Sequence, residues 1–137
     1  MTGTKIDGKV IAQTVKDRVK KATDELKTQG INPCLATVLI GNNPASATYV
    51  RNKHKACEEV GIATKDHKLD ESVTQQELNN IIDELNADVS VHGILVQLPL
   101  PKHLNEFVTT SRISPIKDVD GLTPHNAGLL AMKKAAL

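Results

Sequence analysis

At 137 residues and 14.8 kDa the chain has the length of one ordinary domain. A chain of that size buries roughly 68–70% of the surface its unfolded form exposes, enough for a core without disulfides or metal. Its 17 Lys and Arg against 16 Asp and Glu exclude the basic stripe of a nucleic-acid binder and the acidic bias of a disordered tail, and with Tyr49 and Phe107 as the only aromatics the core has to be aliphatic.

In chain order, residues 8–28 place Ile11, Val15, Val19, Ala22 and Leu26 at helical spacing, with Gly30 beyond the end. Residues 35–40 are a short aliphatic run that reads as a strand, closed by Gly41-Asn-Asn-Pro44, a loop leading into a helix over about 45–60 that stops at Gly61. Residues 63–69 predict a weaker, more polar strand near a sheet edge. Thr74 and Glu77 have the spacing of a capping box, opening a helix whose buried face is Leu78, Ile81, Ile82 and Leu85. Residues 91–98 are nearly continuous apolar sequence, as expected of a strand covered on both faces. Beyond Pro99-Leu-Pro101 the pattern loosens into a short helix around 103–110 and a loop over 114–121. A final helix is expected over about 127–137, with no cap or stop signal, so the chain is expected to end short of a natural boundary. Strands alternating with helices in this way imply right-handed βαβ units: an α/β fold, three-layer αβα, with a mostly parallel sheet, in a single domain over 1–137.

The start of the chain carries no apolar run of the signal-peptide kind, and nowhere does an apolar run approach the length of a membrane span. Cys34 and Cys57 lie far apart, without a C-x-x-C or a histidine at ligand spacing, which indicates neither a zinc site nor a disulfide framework. The expectation is a reducing cytoplasm, with no metal, no nucleic acid and no membrane among the partners.

The second helix carries the sharpest signal. At about 100° per residue, Ser46, Tyr49, Val50, Lys53, Ala56, Cys57 and Val60 share one arc, with Lys53 in its middle. A buried ammonium has to find partners or lose its proton. Two readings stand side by side: Lys53 snorkels its stem over the core, or it works in a site. Tyr49, one turn before it, reads either as a core aromatic with a wet hydroxyl or as part of that site. In open parallel sheets ligands collect at the carboxyl ends of the strands. The 41–44 loop delivers Tyr49 and Lys53 from one such end, and Gln97 stands at another, where its amide oxygen can accept from the Lys53 ammonium if the two meet. Otherwise Gln97 is simply the first exposed residue after its strand. Asp118 and Asp120, in Lys117-Asp-Val-Asp-Gly121, are ordinary turn chemistry taken alone, and the twelve-residue calcium pattern is missing. The five histidines form no motif; His92 reads as a core residue and the other four as surface. No nucleophile elbow, Walker loop or G-x-G-x-x-G is present.

Three segments together resemble one family. Tyr49-Val-Arg-Asn-Lys53 followed by His-Lys-Ala-Cys-Glu-Glu-Val-Gly61, Gly93-Ile-Leu-Val-Gln-Leu-Pro-Leu-Pro101, and Pro115-Ile-Lys-Asp-Val-Asp-Gly121 are similar to the signatures of the bifunctional methylenetetrahydrofolate dehydrogenase/methenyltetrahydrofolate cyclohydrolases. The likeness runs in order from Ile6 to about Leu130, with Leu122 standing where many members have Phe. It implies the amino-terminal, folate-binding catalytic half, without the Rossmann domain that holds NADP (NAD in some members). By that resemblance Lys53 is the catalytic lysine, positioning water at the bridging carbon of 5,10-methenyltetrahydrofolate and moving protons, work that suits an amine in partly apolar surroundings. Gln97 would hold Lys53, Tyr49 would lie against the aminobenzoyl ring, and Asp120 would accept from the amino-pyrimidine edge of the pterin. Val96, Leu98 and Pro99 would line the pocket and Ser46 would touch substrate. The dehydrogenase half-reaction would pass a hydride to NADP held outside this chain. Family members are typically homodimers, with much of the contact through the cofactor domain, so the resemblance leaves the dimerisation of this chain open.

Three readings of function follow: an enzyme portion that retains cyclohydrolase activity, a folate-binding module without turnover, and a non-enzymatic interaction domain. The intact set of Tyr49, Lys53, Gln97 and Asp120 argues against the third. Exposed apolar surface is expected near Leu129, Leu130 and Leu137.

Overall fold

The computed structural model describes Gly3 and residues 6–135. Helix α1, Gly8–Thr28, starts where the Asp7 carboxylate accepts from the amides of Lys9 and Val10. Strand β1, Cys34–Ile40, leads to α2, Pro44–Val60. There Asn43 accepts from the amides of Ala45 and Ser46, and Pro44 occupies the first turn, where a missing N–H leaves no helical bond unmade. Helix α2 stops at Gly61, whose φ of 78° is open to a residue without Cβ. Strand β2, Ala63–Leu69, precedes α3, Gln75–Ala87. The expected capping box opens α3: Thr74 accepts from the Glu77 amide and Glu77 accepts from the Thr74 amide.

The later elements depart from expectation. Strand β3 is Gly93–Val96, shorter than the apolar run that announces it. The amides of His92 and Gln97 still donate to the carbonyls of Cys34 and Val38, so pairing with β1 reaches one residue past each end. Pro99, with no N–H, ends any continuation. Helix α4 is Glu106–Arg112, shifted from 103–110 because Asn105 provides the cap, accepting from the Val108 amide. The expected loop contains a 3-10 turn at Pro115–Lys117. Helix α5 is Pro124–Ala131 rather than 127–137: Thr123 caps it, Pro124 opens it, and Lys133 ends it at a left-handed φ of 55°. The amides of Lys133 and Lys134 return to the carbonyls of Leu130 and Leu129, so a stop is built in. The last two residues of the expected helix lie outside the described residues.

The three strands run parallel in the order β2-β1-β3, with Cys34 opposite Ala63 and Leu35 opposite Gly93. The polar β2 is an edge strand, as its sequence suggests. Along central β1, Ala36, Val38 and Ile40 point to one face, where Leu78, Ile82 and Leu85 of α3 join Ile94, Val96, Leu100, Leu104 and Ile113 in a single aliphatic core. Burying each such large side chain stabilises the fold by about 1.5–3 kcal/mol. Thr37, on the other face, meets α2, and α1 lies against α2. The layers are therefore α1 and α2, the sheet, then α3 and α4. Leu130 is exposed and Leu129 half-buried, as expected of that patch, while Leu137 falls outside the described residues. A longer exposed apolar stripe, which the periodicity alone does not reveal, lies on α1 at Val10, Ile11 and Val15.

Candidate active site

Because β1 and β3 are parallel neighbours, the loop into α2 and the residue after β3 come out at the same end of the sheet. There the Lys53 ammonium donates to Gln97 Oε1 at 3.3 Å. The Gln97 amide is itself oriented, since its Nε2 donates to the Leu98 carbonyl at 2.8 Å and leaves Oε1 to face the lysine. Its backbone N–H, bonded to Val38 O at 2.9 Å, ties the residue to the centre of the sheet. Lys53 and Gln97 are both half-buried, so neither is a freely solvated chain nor a core residue.

The other expected site residues take different environments. Ser46 is buried in the first turn of α2 and Val96 at the end of β3. Leu98 is half-buried and Pro99 exposed, joined by a cis peptide bond. Tyr49 is 62% exposed, which removes the core-aromatic reading: it stands at the margin of the α2 arc rather than under it. Asp118 forms a single parallel bridge with Ile94, so the chain there runs alongside β3, and the turn carrying exposed Asp120 follows directly. The structure thus joins Lys53 to Gln97 directly and sets the loop of Asp120 beside the same strand.

Several histidine expectations are corrected. His92 lies just before β3 and is exposed, its Nδ1 accepting from the Cys34 amide at 3.2 Å. His54 and His67 are half-buried instead of surface residues. His54 Nε2 is 2.6 Å from Asp66 Oδ1, which also accepts from the Thr37 hydroxyl at 2.5 Å. Only the stacking of α2 on the paired strands β1 and β2 assembles this trio, and no local spacing announces it. Asp118, by contrast, is legible in retrospect: an Asp four and five residues before a Leu-Thr-Pro helix start can accept from the amides that precede the helix.

One turn along α2 from Lys53, a cavity of about 290 Å³ opens between Leu35, Cys57, Ile62, His92, Gly93 and Val119. Burial pushes the Cys57 thiol up, and Asp66 and Cys34 add to the effect; burial likewise raises Cys34. Neither thiol is poised as a thiolate nucleophile. Among the described residues no group of three or more His, Cys, Asp or Glu could hold a metal ion, and no helix is long and apolar enough to cross a membrane.

The sequence model of the tetrahydrofolate dehydrogenase/cyclohydrolase catalytic domain matches residues 6–120. The chain belongs to this family. The bifunctional protein FolD of Nitrosopumilus maritimus is 83% identical over 137 residues, covering 100% of this chain and 48% of that protein. The crystal structure of the FolD methylenetetrahydrofolate dehydrogenase/cyclohydrolase from Campylobacter jejuni is 48% identical with a TM-score of 0.93, over 95% of this chain and 46% of that one. The Trypanosoma brucei family member, solved with NADP cofactor and an inhibitor, is 34% identical with a TM-score of 0.90, over 97% of this chain and 46% of that one. The chain spans about half the length of the curated relatives it matches.

Proposed function

We propose that this chain is a folate-binding catalytic domain that takes tetrahydrofolate derivatives and promotes the addition of water to 5,10-methenyltetrahydrofolate. The observation that carries this is the Lys53–Gln97 hydrogen bond at the carboxyl end of β3. Gln97 occupies one valence of the Lys53 nitrogen and fixes its direction, leaving the others to hold a water against the bridging carbon. In the reaction the water oxygen bonds to that carbon while Lys53, acting in its amine form, takes one proton from the water and passes it to solvent. The bond from the carbon to N5 then breaks, N5 takes a proton, and the carbon remains on N10 as a formyl group. Methenyl cation plus water becomes 10-formyltetrahydrofolate plus one proton. Tyr49 offers its exposed ring to the aminobenzoyl group, Asp120 its carboxylate to the amino-pyrimidine edge, and Ser46, Val96, Leu98 and Pro99 the surrounding walls. The free thiols Cys34 and Cys57 support a reducing compartment such as the cytoplasm for this role.

A nicotinamide dinucleotide does not fit what the described residues offer. The loop from β1 into α2 holds one glycine, Gly41, and Pro44 removes an N–H from the helix start that would face a pyrophosphate. No hydride step therefore runs through these residues alone.

The 62% exposure of Tyr49 and the open position of Asp120 favour a second reading, in which the cleft binds folate but admits too much water to turn it over. Following the loss of 5,10-methenyltetrahydrofolate absorbance separates the two. Hydrolysis above buffer that vanishes in Lys53→Met supports catalysis by this chain. Binding by calorimetry without hydrolysis supports the second reading, and the absence of both removes the folate assignment.

A further inference from the structure

Asp118 is a carboxylate at 1% exposure. Three donors converge on it: the Leu122 amide reaches Oδ1 at 3.2 Å, while the Thr123 amide and Asn126 Nδ2 reach Oδ2 at 2.8 and 3.0 Å. Asn126 is buried too, and its Nδ2 also donates to the Pro115 carbonyl at 2.8 Å. One side chain therefore ties the segment beside β3 to the start of α5, with the turn that holds Asp120 spanning the gap. The near side of the turn is clamped by contact with the sheet. A Cβ on Gly93 would come within 2.6 Å of Val119 Cγ1, so Val119 packs on β3 only because residue 93 has no side chain.

We propose that Asp118 is a positioning residue of the folate site, acting through the turn it secures to set the direction of Asp120 beside β3. The inference rests on the folate reading for its ligand, but the clamp itself is a property of the fold. Three N–H donors require an acceptor-only group; an amide in place of the carboxylate turns its own NH₂ toward one of them. Burial pushes the Asp118 carboxyl up, yet the bonds from Thr123, Asn126 and Leu122 more than offset it and hold the group below the ordinary carboxylate range. It is thus charged at neutral pH, with its negative end toward the N-terminus of α5. Asp120, two residues on, is left exposed with its direction dictated by the turn.

The test is a double-mutant cycle on the full chain, read by calorimetric titration with tetrahydrofolate under argon. Asp118→Asn is expected to weaken binding about tenfold, as is Asp120→Asn, and the double variant is expected to bind within about twofold of Asp120→Asn alone. Losses that multiply in the double variant, or an Asp118→Asn protein that binds like the original, overturn the proposal. Should Asp118→Asn fail to fold, Asn126→Ala removes one of the three donors and is expected to weaken binding about threefold. Amide exchange supplies the readout independent of ligand. In either variant the Leu122 and Thr123 amides are expected to exchange about tenfold faster while β1 amides keep their protection. If the unmodified chain takes no folate, the ligand assignment falls by itself; unchanged exchange at Leu122 and Thr123 overturns the role of Asp118.

Discussion

The two faces of the central strand β1 are built by different physics. On the α3 side Ala36, Val38 and Ile40 meet Leu78 and Ile82, each without accessible surface, in a continuous aliphatic layer. On the α2 side Thr37 meets His54 and Asp66 through hydrogen bonds, and the helix beyond, α1, leaves Val10 at 62% exposure beside Ile11 and Val15. Helices α1 and α3 are comparably amphipathic in sequence. Periodicity thus announces an apolar face without saying that the described chain covers it; that depends on which elements the sheet topology stacks together.

Three substitutions test the contrast. Ile82→Ala, at the centre of the aliphatic layer, is expected to cost about 2–5 kcal/mol in denaturant unfolding, the largest effect of the set. Thr37→Val keeps the volume of the side chain but removes the hydroxyl from Asp66, and is expected to cost about 1 kcal/mol. A loss as large as that of Ile82→Ala shows that the polar face contributes as much as the aliphatic one. Val10→Ser on the open stripe is expected to change stability by less than about 0.5 kcal/mol. A clearly larger loss, or one that depends on protein concentration, shows that the stripe is covered in solution.

Where local chemistry decides an element, the sequence speaks for it. Asn43 and Pro44 open α2, Gly61 closes it, and the Thr74–Glu77 box opens α3; each acts within a few residues. That Lys53 and Gln97 share one end of the sheet is also readable, because it follows from which ends of parallel strands lie together, while the hydrogen bond between them is not. The ends of β3 are not, since Val91 is as apolar as the strand and only pairing with β1 sets its limits. His54 reads as a surface residue because its partners lie on two strands distant in sequence. By spacing alone Asp118 and Asp120 are two acids in one turn, and only the resemblance separates them; the difference between a buried clamp and an exposed tip comes from the packing of Val119 on Gly93 and the docking of α5.

The small sheet has two free borders, and each is defended in its own way. At β2 the strand carries Lys65, Asp66 and Lys68, all exposed, and such charges on an edge strand disfavour the addition of another strand. At β3 the bridge from Ile94 to Asp118 places the protein's own chain along the border, then turns it away after one residue. Among the described residues neither border offers the long, flat, uncharged ladder on which fibrils propagate, so self-association through strand addition is disfavoured at both.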